Sequence, residues 1–202
     1  MNHSVEPLSH VAHTHVGIVL RFFSEKSRVV IFDRFRGKFS ATCFSTVSPG
    51  SYVSYELSSY GSSYNRVKIS ELLHVPLLLA RSNIILLHQV LEICDVSLPL
   101  ESIDGAVYDV LLWLCTVPCL IAYEHQRDLI LAKLFVLLGL HTTYSIICET
   151  CIVLIHNSSV DTIGGIALDS KCAEKLKSWL YHCLSEQLSE QPLKTRVFFN
   201  NE

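Results

Sequence analysis

Cys148 and Cys151, two cysteines separated by two residues, form the motif in this sequence that most clearly could bind a metal or react. Thiolates at this spacing are typical of one half of a structural zinc site, which needs four nitrogen or sulfur ligands. The same pair on an apolar helix is equally typical of buried free thiols. One further cysteine, Cys172, follows later in the chain. The pattern alone leaves a metal site and a pair of core thiols both open.

Basic residues in the first part of the chain form a second group that could have a binding role. Residues 21–38 contain six Lys or Arg against two Asp or Glu, although the whole chain has a net charge of −3. Residues 1–78 carry +3, and residues 79–202 carry −6. A basic patch in an acidic protein indicates a polyanionic partner. The candidates for phosphate contacts are Arg21, Arg34, Arg36 and Lys38, with Lys26, Arg28, Arg66 and Lys68 as a second tier, and the charge pattern alone also fits an ordinary solvated face.

Such cations would neutralise phosphates and displace counterions if they clustered on one rim of a barrel. Aromatic residues lie between them in the sequence, and rings of this kind stack on bases in single-strand-binding proteins. The alternative is an ordinary solvated strand face with the aromatic residues in the core, which explains most of these rings better. The aromatic residues concerned are Phe22, Phe23, Phe35, Phe39, Tyr52, Tyr55, Tyr60 and Tyr64.

The signatures of common enzyme classes are missing from the sequence. The chain contains no P-loop, no GxGxxG after a strand, no HExxH and no GxSxG motif. Asp104, Asp109, Glu124 and Asp128 lie near predicted helix ends and form no recognisable constellation. We therefore expect a binding protein and not an enzyme.

Five short segments rich in β-branched and aromatic residues precede Pro76, at 15–23, 28–35, 38–44, 52–58 and 65–71. Turn-forming residues such as Arg36-Gly37 separate them. Five strands in about 60 residues suit a small barrel, for which the five-stranded OB-fold is the first candidate. An SH3-like barrel has a similar number of strands, and the pattern does not separate the two.

After Pro76 the apolar residues recur at helical spacing, at 77–96, 104–117, 124–140 and 169–190. We therefore predict an α+β protein. Residues 1–78 form an OB-fold β-barrel domain with a flexible tail at 1–14. Residues 79–202 form an all-α helical domain, with the cysteine-bearing insertion near 148–172.

The composition indicates a folded protein of the cytosol. The chain has 202 residues, of which 50% are hydrophobic and 17% charged, enough to bury a substantial core. Its polar start has no apolar segment of a secretion signal. The longest uncharged apolar stretch, 110–123, is shorter than the roughly 20 residues of a membrane-spanning helix. In a reducing cytosol the cysteines are expected as free thiols or metal ligands and not as disulfides.

Read in order, several segments resemble the RecO family of bacterial recombination mediators. Residues 17–41 (GIVLRFFSEKSRVVIFDRFRGKFSA) resemble that family's opening of two strands and an R-G-K/R turn. Residues 86–100, followed by 107–114 (VYDVLLWL), resemble its first helical pair. Residues 129–140 (LILAKLFVLLGL) and the later CxxC resemble its LLxLLGY…CxxC passage. Residues 191–198 (QPLKTRVF) resemble its terminal P-L-K-S-R-R-F.

The resemblance implies a DNA repair and recombination mediator without catalysis, in the cytoplasm and associated with the nucleoid. Members of this family bind single- and double-stranded DNA and anneal complementary strands. They also contact the C-terminal tail of single-strand-binding protein and join RecR to help load RecA. That tail is acidic with an apolar tip, so its receptor needs a hydrophobic pocket beside cations. Arg127 and Lys133 are the partner-binding candidates, the alternative being charges that snorkel over a core helix.

In many members of the family a second cysteine pair after a Gly-Gly turn completes a zinc site. Here Gly164-Gly165 is followed only by Cys172, and Leu168 stands near the position of the missing cysteine. His156 or His182 could supply a fourth ligand, although neither is at the family position. The resemblance therefore implies a partial or decayed zinc site, in which helix packing replaces the metal, and no other cofactor. Its remaining ligands would be Cys148, Cys151 and Cys172.

Two other functions stay open from the sequence. The first is an OB-type protein-interaction module without DNA activity, whose basic rim meets another acidic partner. Salt-dependent retention on DNA would separate it from the mediator. The second is an enzyme with an unrecognised site, which turnover of nucleic-acid substrates would reveal.

Overall fold

The computed structural model describes residues 14–60, 64–116, 124–141, 147–157, 159–163 and 166–188. Strands come first and helices follow, as predicted. The strands are β1 (Thr14–Phe23), β2 (Arg28–Asp33), β3 (Gly37–Cys43), β4 (Tyr52–Tyr60) and β5 (Tyr64–His74). The helices are α1 (Leu77–Ser97), α2 (Gly105–Thr116), α3 (Glu124–Leu137), α4 (Glu149–Asn157), α5 (Val160–Ile163) and α6 (Ser170–Gln187).

The five strands close into a barrel in the order β1-β2-β3-β5-β4. Neighbouring strands are antiparallel, except that β3 and β5 run parallel. A turn of 3-10 helix, Ser24–Lys26, joins β1 to β2. The strand-to-helix change falls between His74 and Leu77, close to the predicted boundary at residue 78.

Alternation along the strands divides the buried side chains between two cores. Ile18, Leu20, Val30 and Phe32 face outward from β1 and β2 and belong to the core that the helices form. Both faces of these two strands are therefore buried, and the helices pack against this side of the barrel. The barrel interior is filled by Val19, Val29, Ile31, Phe39, Ala41, Cys43, Val47, Val53, Tyr55 and Val67.

Helix α1 is the main element between the barrel and the other helices. It is kinked at Asn83, whose side-chain oxygen accepts a hydrogen bond from the amide of Leu86 at 2.9 Å and caps the second part of the helix. By length and composition α1 could span a membrane, but half of its apolar window is buried inside the protein, as in an ordinary core helix.

A close backbone contact fixes the β2–β3 hairpin against the segment that links α1 to α2. The amide of Glu101 donates a hydrogen bond to the carbonyl of Lys38 at 2.7 Å. Gly37 has a φ of 72°, and a Cβ at this position would lie 2.2 Å from the carbonyl oxygen of Ser102. A residue larger than glycine would therefore push the two segments apart.

Several features that the sequence singled out lie outside the described residues. They are the tail at 1–13, the Gly164-Gly165 turn and the P-L-K segment at 191–198.

Candidate nucleic-acid interface

The strand register brings several exposed residues into one line across the barrel. Arg28 on β2 is paired with Thr42 on β3, and Thr42 is paired with Arg66 on β5. Arg28 is also paired with Phe23 on β1. Residues paired across strands point to the same face, and neighbouring strands lie about 4.8 Å apart. The Cα atoms of Arg28 and Arg66 are therefore roughly 10 Å from each other.

Alternation places this line on the outer surface of the barrel. Val67 is 2% exposed and fills the barrel interior. Its neighbours Arg66 and Lys68 consequently point outward, and both are exposed. On β2, Val29 is in the interior and Arg28 is exposed at the start of the strand.

An exposed aromatic ring lies beside these cations. Phe44 directly follows β3 and is 69% exposed. The guanidinium carbon of Arg66 lies 4.9 Å from the centre of the Phe44 ring, within cation–π range. Phe23, at the β1 end of the line, is 37% exposed. A single exposed ring is common on protein surfaces, but two exposed rings beside exposed cations on one face form a candidate binding surface. We call this set the outer row; its members are Phe23, Arg28, Thr42, Phe44, Arg66 and Lys68.

The charges of the outer row are only weakly neutralised by the residues around them. Lys68 lies 3.5 Å from Glu56, but its side chain is 75% exposed, so water and salt screen the pair. The Nε of Arg28 donates a hydrogen bond to the neutral hydroxyl of Ser40 at 3.0 Å. Lys26 adds a further exposed cation in the adjoining turn, where Glu25 partly offsets it.

Two of the predicted phosphate-binding residues are engaged by helix α1 instead. The Nε of Arg21 lies 2.9 Å from a carboxylate oxygen of Asp95. The ammonium group of Lys38 donates a hydrogen bond to the main-chain carbonyl of Asp95 at 2.6 Å. Lys38 is 7% exposed, and burial lowers the pKa of its ammonium group. These two cations attach the barrel to the helices.

The β2–β3 turn holds two more of the predicted cations. Arg34 makes a bidentate ion pair with Asp109 of α2, at 2.7 and 3.2 Å. Arg36 is exposed and contacts the ring of His15 at 3.2 Å. Asp33 shapes this turn, because one of its carboxylate oxygens accepts hydrogen bonds from the amides of residues 35 and 36.

The predicted cations are therefore not gathered on one rim: Arg34 and Arg36 lie in the β2–β3 turn, whereas Arg21 lies near the outer row, 5.5 Å from the centre of the Phe23 ring. Arg28 and Arg34 are six residues apart along the chain, which corresponds to roughly 20 Å in an extended strand. Arg21, Arg34 and Lys38, expected as main contacts, are held by the helices or their linking segment. At the end of β2 that carries Arg28, most of the exposed charge comes from the residues predicted as secondary phosphate contacts: Lys26, Arg28, Arg66 and Lys68.

The three cysteines of the predicted zinc site meet in the structure. The sulfurs of Cys148 and Cys151 are 3.2 Å apart, and the thiol of Cys172 also bonds to the Cys148 sulfur. Desolvation opposes ionisation of Cys148, but the hydrogen bonds from Cys172 and Cys151 outweigh it and lower its pKa. Burial and the bond to Cys148 raise the pKa of Cys151. The bond to Cys148, with a smaller effect of Asp169, raises the pKa of Cys172 to about 12.

The described residues do not complete a tetrahedral zinc site. Among them, no group of three or more His, Cys, Asp or Glu side chains is arranged to hold a metal ion. His182, considered as a fourth ligand, is paired with Glu186 at 3.1 Å on α6. The other candidate, His156, is exposed near the end of α4.

The two predicted partner-binding residues lie on α3 and are both engaged within the protein. Arg127 pairs with its neighbour Asp128 at 3.3 Å. The ammonium group of Lys133 donates a hydrogen bond to the carbonyl of Ile155 on α4 at 2.9 Å, and burial lowers its pKa. Both side chains are half-buried, so neither presents a freely exposed charge.

The aromatic residues divide in a way that the sequence analysis only partly anticipated. Phe39 and Tyr55 pack inside the barrel, as expected for most of the rings. Phe35 is 78% exposed at the β2–β3 turn, and Phe44, which is not among the predicted stacking residues, is 69% exposed. Strand alternation does predict that Phe44 is exposed, because Phe39, Ala41 and Cys43 point inward and Phe44 therefore falls on the polar face.

Comparison with known proteins does not identify the chain. No protein-family model matches it, and no curated protein matches it significantly.

Proposed function

We propose that the protein is a non-catalytic DNA-binding protein that holds single-stranded DNA on the outer row of its barrel. The observation that carries this proposal is the exposed ring of Phe44 beside Arg66, with Arg28 and Lys68 exposed on the same outer surface. Cations hold the phosphates of such a strand, and an unstacked base has a free face for the aromatic ring. In duplex DNA the faces of the bases are covered by stacking, so the ring favours single strands.

The barrel topology supports an OB-fold as the scaffold of this site. A closed five-stranded barrel with the order β1-β2-β3-β5-β4 and a parallel β3–β5 contact is the arrangement expected for that fold. OB-folds bind oligonucleotides on the face of strands 2 and 3 and on the adjoining loops. Arg28 and Thr42 lie on these strands, and Lys26 lies in the first of these loops.

The more specific proposal is a mediator of the RecO type. Its support is the combination of the sequence resemblance with the order of a barrel followed by helices. Such a protein would bind and anneal DNA strands and act with RecR to load RecA on strands coated by single-strand-binding protein. This mechanism is stoichiometric and electrostatic, and it needs no cofactor.

The first test measures binding of a fluorescent single-stranded oligonucleotide by anisotropy. We expect the variant Arg28→Ala/Arg66→Ala/Lys68→Ala to bind at least roughly tenfold more weakly than the wild type, because three phosphate contacts are lost. The matched control is Arg81→Ala/Lys171→Ala/Lys175→Ala, which removes three exposed charges from the helices. Equal affinity in the two triple variants would contradict the assignment of the site. No binding by folded wild-type protein would favour the protein-interaction module.

The second test examines the role of the Phe44 ring. We expect Phe44→Ala to weaken single-strand binding by about 1–3 kcal/mol, the usual contribution of one stacked base. Phe44→Tyr should retain binding, because it keeps an aromatic face. Duplex affinity should change little in either variant, so the ratio of the two affinities is the informative quantity. A Phe44→Ala protein with an unchanged ratio would show that the ring does not contact a base.

A further inference from the structure

Three thiols converge where two helices begin. Cys148 immediately precedes α4, and its carbonyl accepts the first hydrogen bond of that helix from the amide of Ile152. Cys172 lies in the first turn of α6, where its amide is bonded to the carboxylate of Asp169 at 2.9 Å. Cys151 contacts both partners: its sulfur is 3.2 Å from that of Cys148 and 4.0 Å from the carbonyl of Cys172.

Two of these three thiols are more exposed than the other described cysteines. Cys148 and Cys172 are half-buried, whereas Cys43, Cys94, Cys115 and Cys183 are buried. A small oxidant can therefore approach Cys148 from solvent, while Cys151 lies behind it and is fully buried. An accessible thiol in contact with a second, protected thiol is the arrangement of a resolving cysteine pair.

We propose that Cys148 and Cys151 form a redox-active dithiol that hydrogen peroxide converts into a disulfide. The sulfur of Cys148 attacks one oxygen of the peroxide, which breaks the O–O bond and yields a sulfenic acid and one water molecule. The sulfur of Cys151 then displaces the hydroxyl group, which leaves with the Cys151 proton as a second water molecule. Two sulfurs are oxidised by one electron each, and the peroxide is reduced by two electrons.

The geometry permits this bond with little rearrangement. A disulfide needs sulfurs about 2.05 Å apart, so the two sulfurs must approach by only about 1 Å. Because the two residues span a single helical turn, the bond would change the start of α4 and leave the helix packing intact. Cys172 lies beside this pair, with its carbonyl oxygen 4.0 Å from the Cys151 sulfur, and can replace Cys151 in the second step. That alternative bond would join α4 to α6 and constrain their relative movement.

The experiment treats the full chain with hydrogen peroxide, alkylates the remaining thiols and maps disulfides by peptide mass spectrometry. We expect a Cys148–Cys151 disulfide that dithiothreitol reverses, and a Cys148–Cys172 disulfide in the Cys151→Ser variant. Cys148→Ser should form neither, and circular dichroism checks that it is folded. Cys94 and Cys115 serve as internal controls, because burial raises the pKa of both thiols and they should stay reduced.

Three outcomes would overturn the proposal. The first is recovery of Cys148 and Cys151 as free thiols under conditions that oxidise an exposed model thiol. The second is oxidation of Cys94 and Cys115 at the same rate, which would indicate general unfolding. The third is stoichiometric zinc in the purified protein that is lost with Cys148→Ser, which would make the three thiols a metal centre. None of these outcomes bears on DNA binding by the outer row.

Discussion

At the scale of single residues, Asp33 connects the barrel interior to the surface turn. One of its carboxylate oxygens accepts a hydrogen bond from the hydroxyl of Tyr55 at 2.6 Å, and the other accepts two turn amides. Tyr55 is fully buried, and burial together with the bond to Asp33 raises its pKa. The carboxylate is buried, and both of its oxygens have hydrogen-bond partners.

The removal of the Tyr55 hydroxyl tests this connection. We expect Tyr55→Phe to lower the free energy of unfolding by about 1–3 kcal/mol, because one carboxylate oxygen of Asp33 loses its partner inside the barrel. The measurement is urea denaturation followed by circular dichroism. Tyr181→Phe is the matched control, since this tyrosine is exposed on α6. Similar stability of both variants would show that the Asp33–Tyr55 bond contributes little.

At the scale of elements, two acidic residues of the helices form ion pairs with arginines of the barrel, and the two pairs differ in their exposure to solvent. Asp95 on α1 pairs with Arg21, and its side chain is only 12% exposed. Asp109 on α2 pairs with Arg34 in a bidentate geometry, but its side chain is 54% exposed. Solvent screens the second pair far more than the first, so geometry alone does not rank their contributions.

The two pairs can be compared by the same substitution. We expect Asp95→Asn to lower the free energy of unfolding by about 1–3 kcal/mol, because it leaves a half-buried guanidinium without its counter-charge. Asp109→Asn should lower it by less than about 1 kcal/mol. Chemical denaturation of the two single variants measures the difference. A larger loss in Asp109→Asn would mean that α2, and not α1, anchors the barrel.

The sequence pattern predicted which segments form strands and which side chains face outward. It did not predict which outward-facing side chains the helices and linking segments bury. Period-two alternation identified five strands, and it also places Arg66 and Lys68 outward around Val67. It did not reveal that Lys38, on the same outer face as Thr42, is buried, because the cover comes from the backbone near residue 100. The strand pattern also did not reveal the ion pair of Arg21 with Asp95, because that pair depends on the helix α1 that packs against the barrel. The short helices α4 and α5 were not among the predicted stretches.

At the scale of the whole molecule, the uneven charge of the chain gives the barrel two different ends. The part after residue 78 carries −6, and two of its acidic residues, Asp95 and Asp109, pair with the barrel cations Arg21 and Arg34. The cations of the outer row lie at the opposite end of β2 and stay exposed. An approaching polyanion is therefore repelled by the helices and attracted to the outer row.

The salt dependence of single-strand binding tests this central claim most directly. Each phosphate contact contributes about 0.7 to the slope of log affinity against log salt concentration for single strands. We predict that Arg28→Ala/Arg66→Ala/Lys68→Ala reduces this slope by roughly 2 relative to the wild type, whereas Arg34→Ala leaves it unchanged. An unchanged slope in the triple variant, or a reduced slope in Arg34→Ala, would contradict binding on the outer row and place the strand at the other end of the barrel.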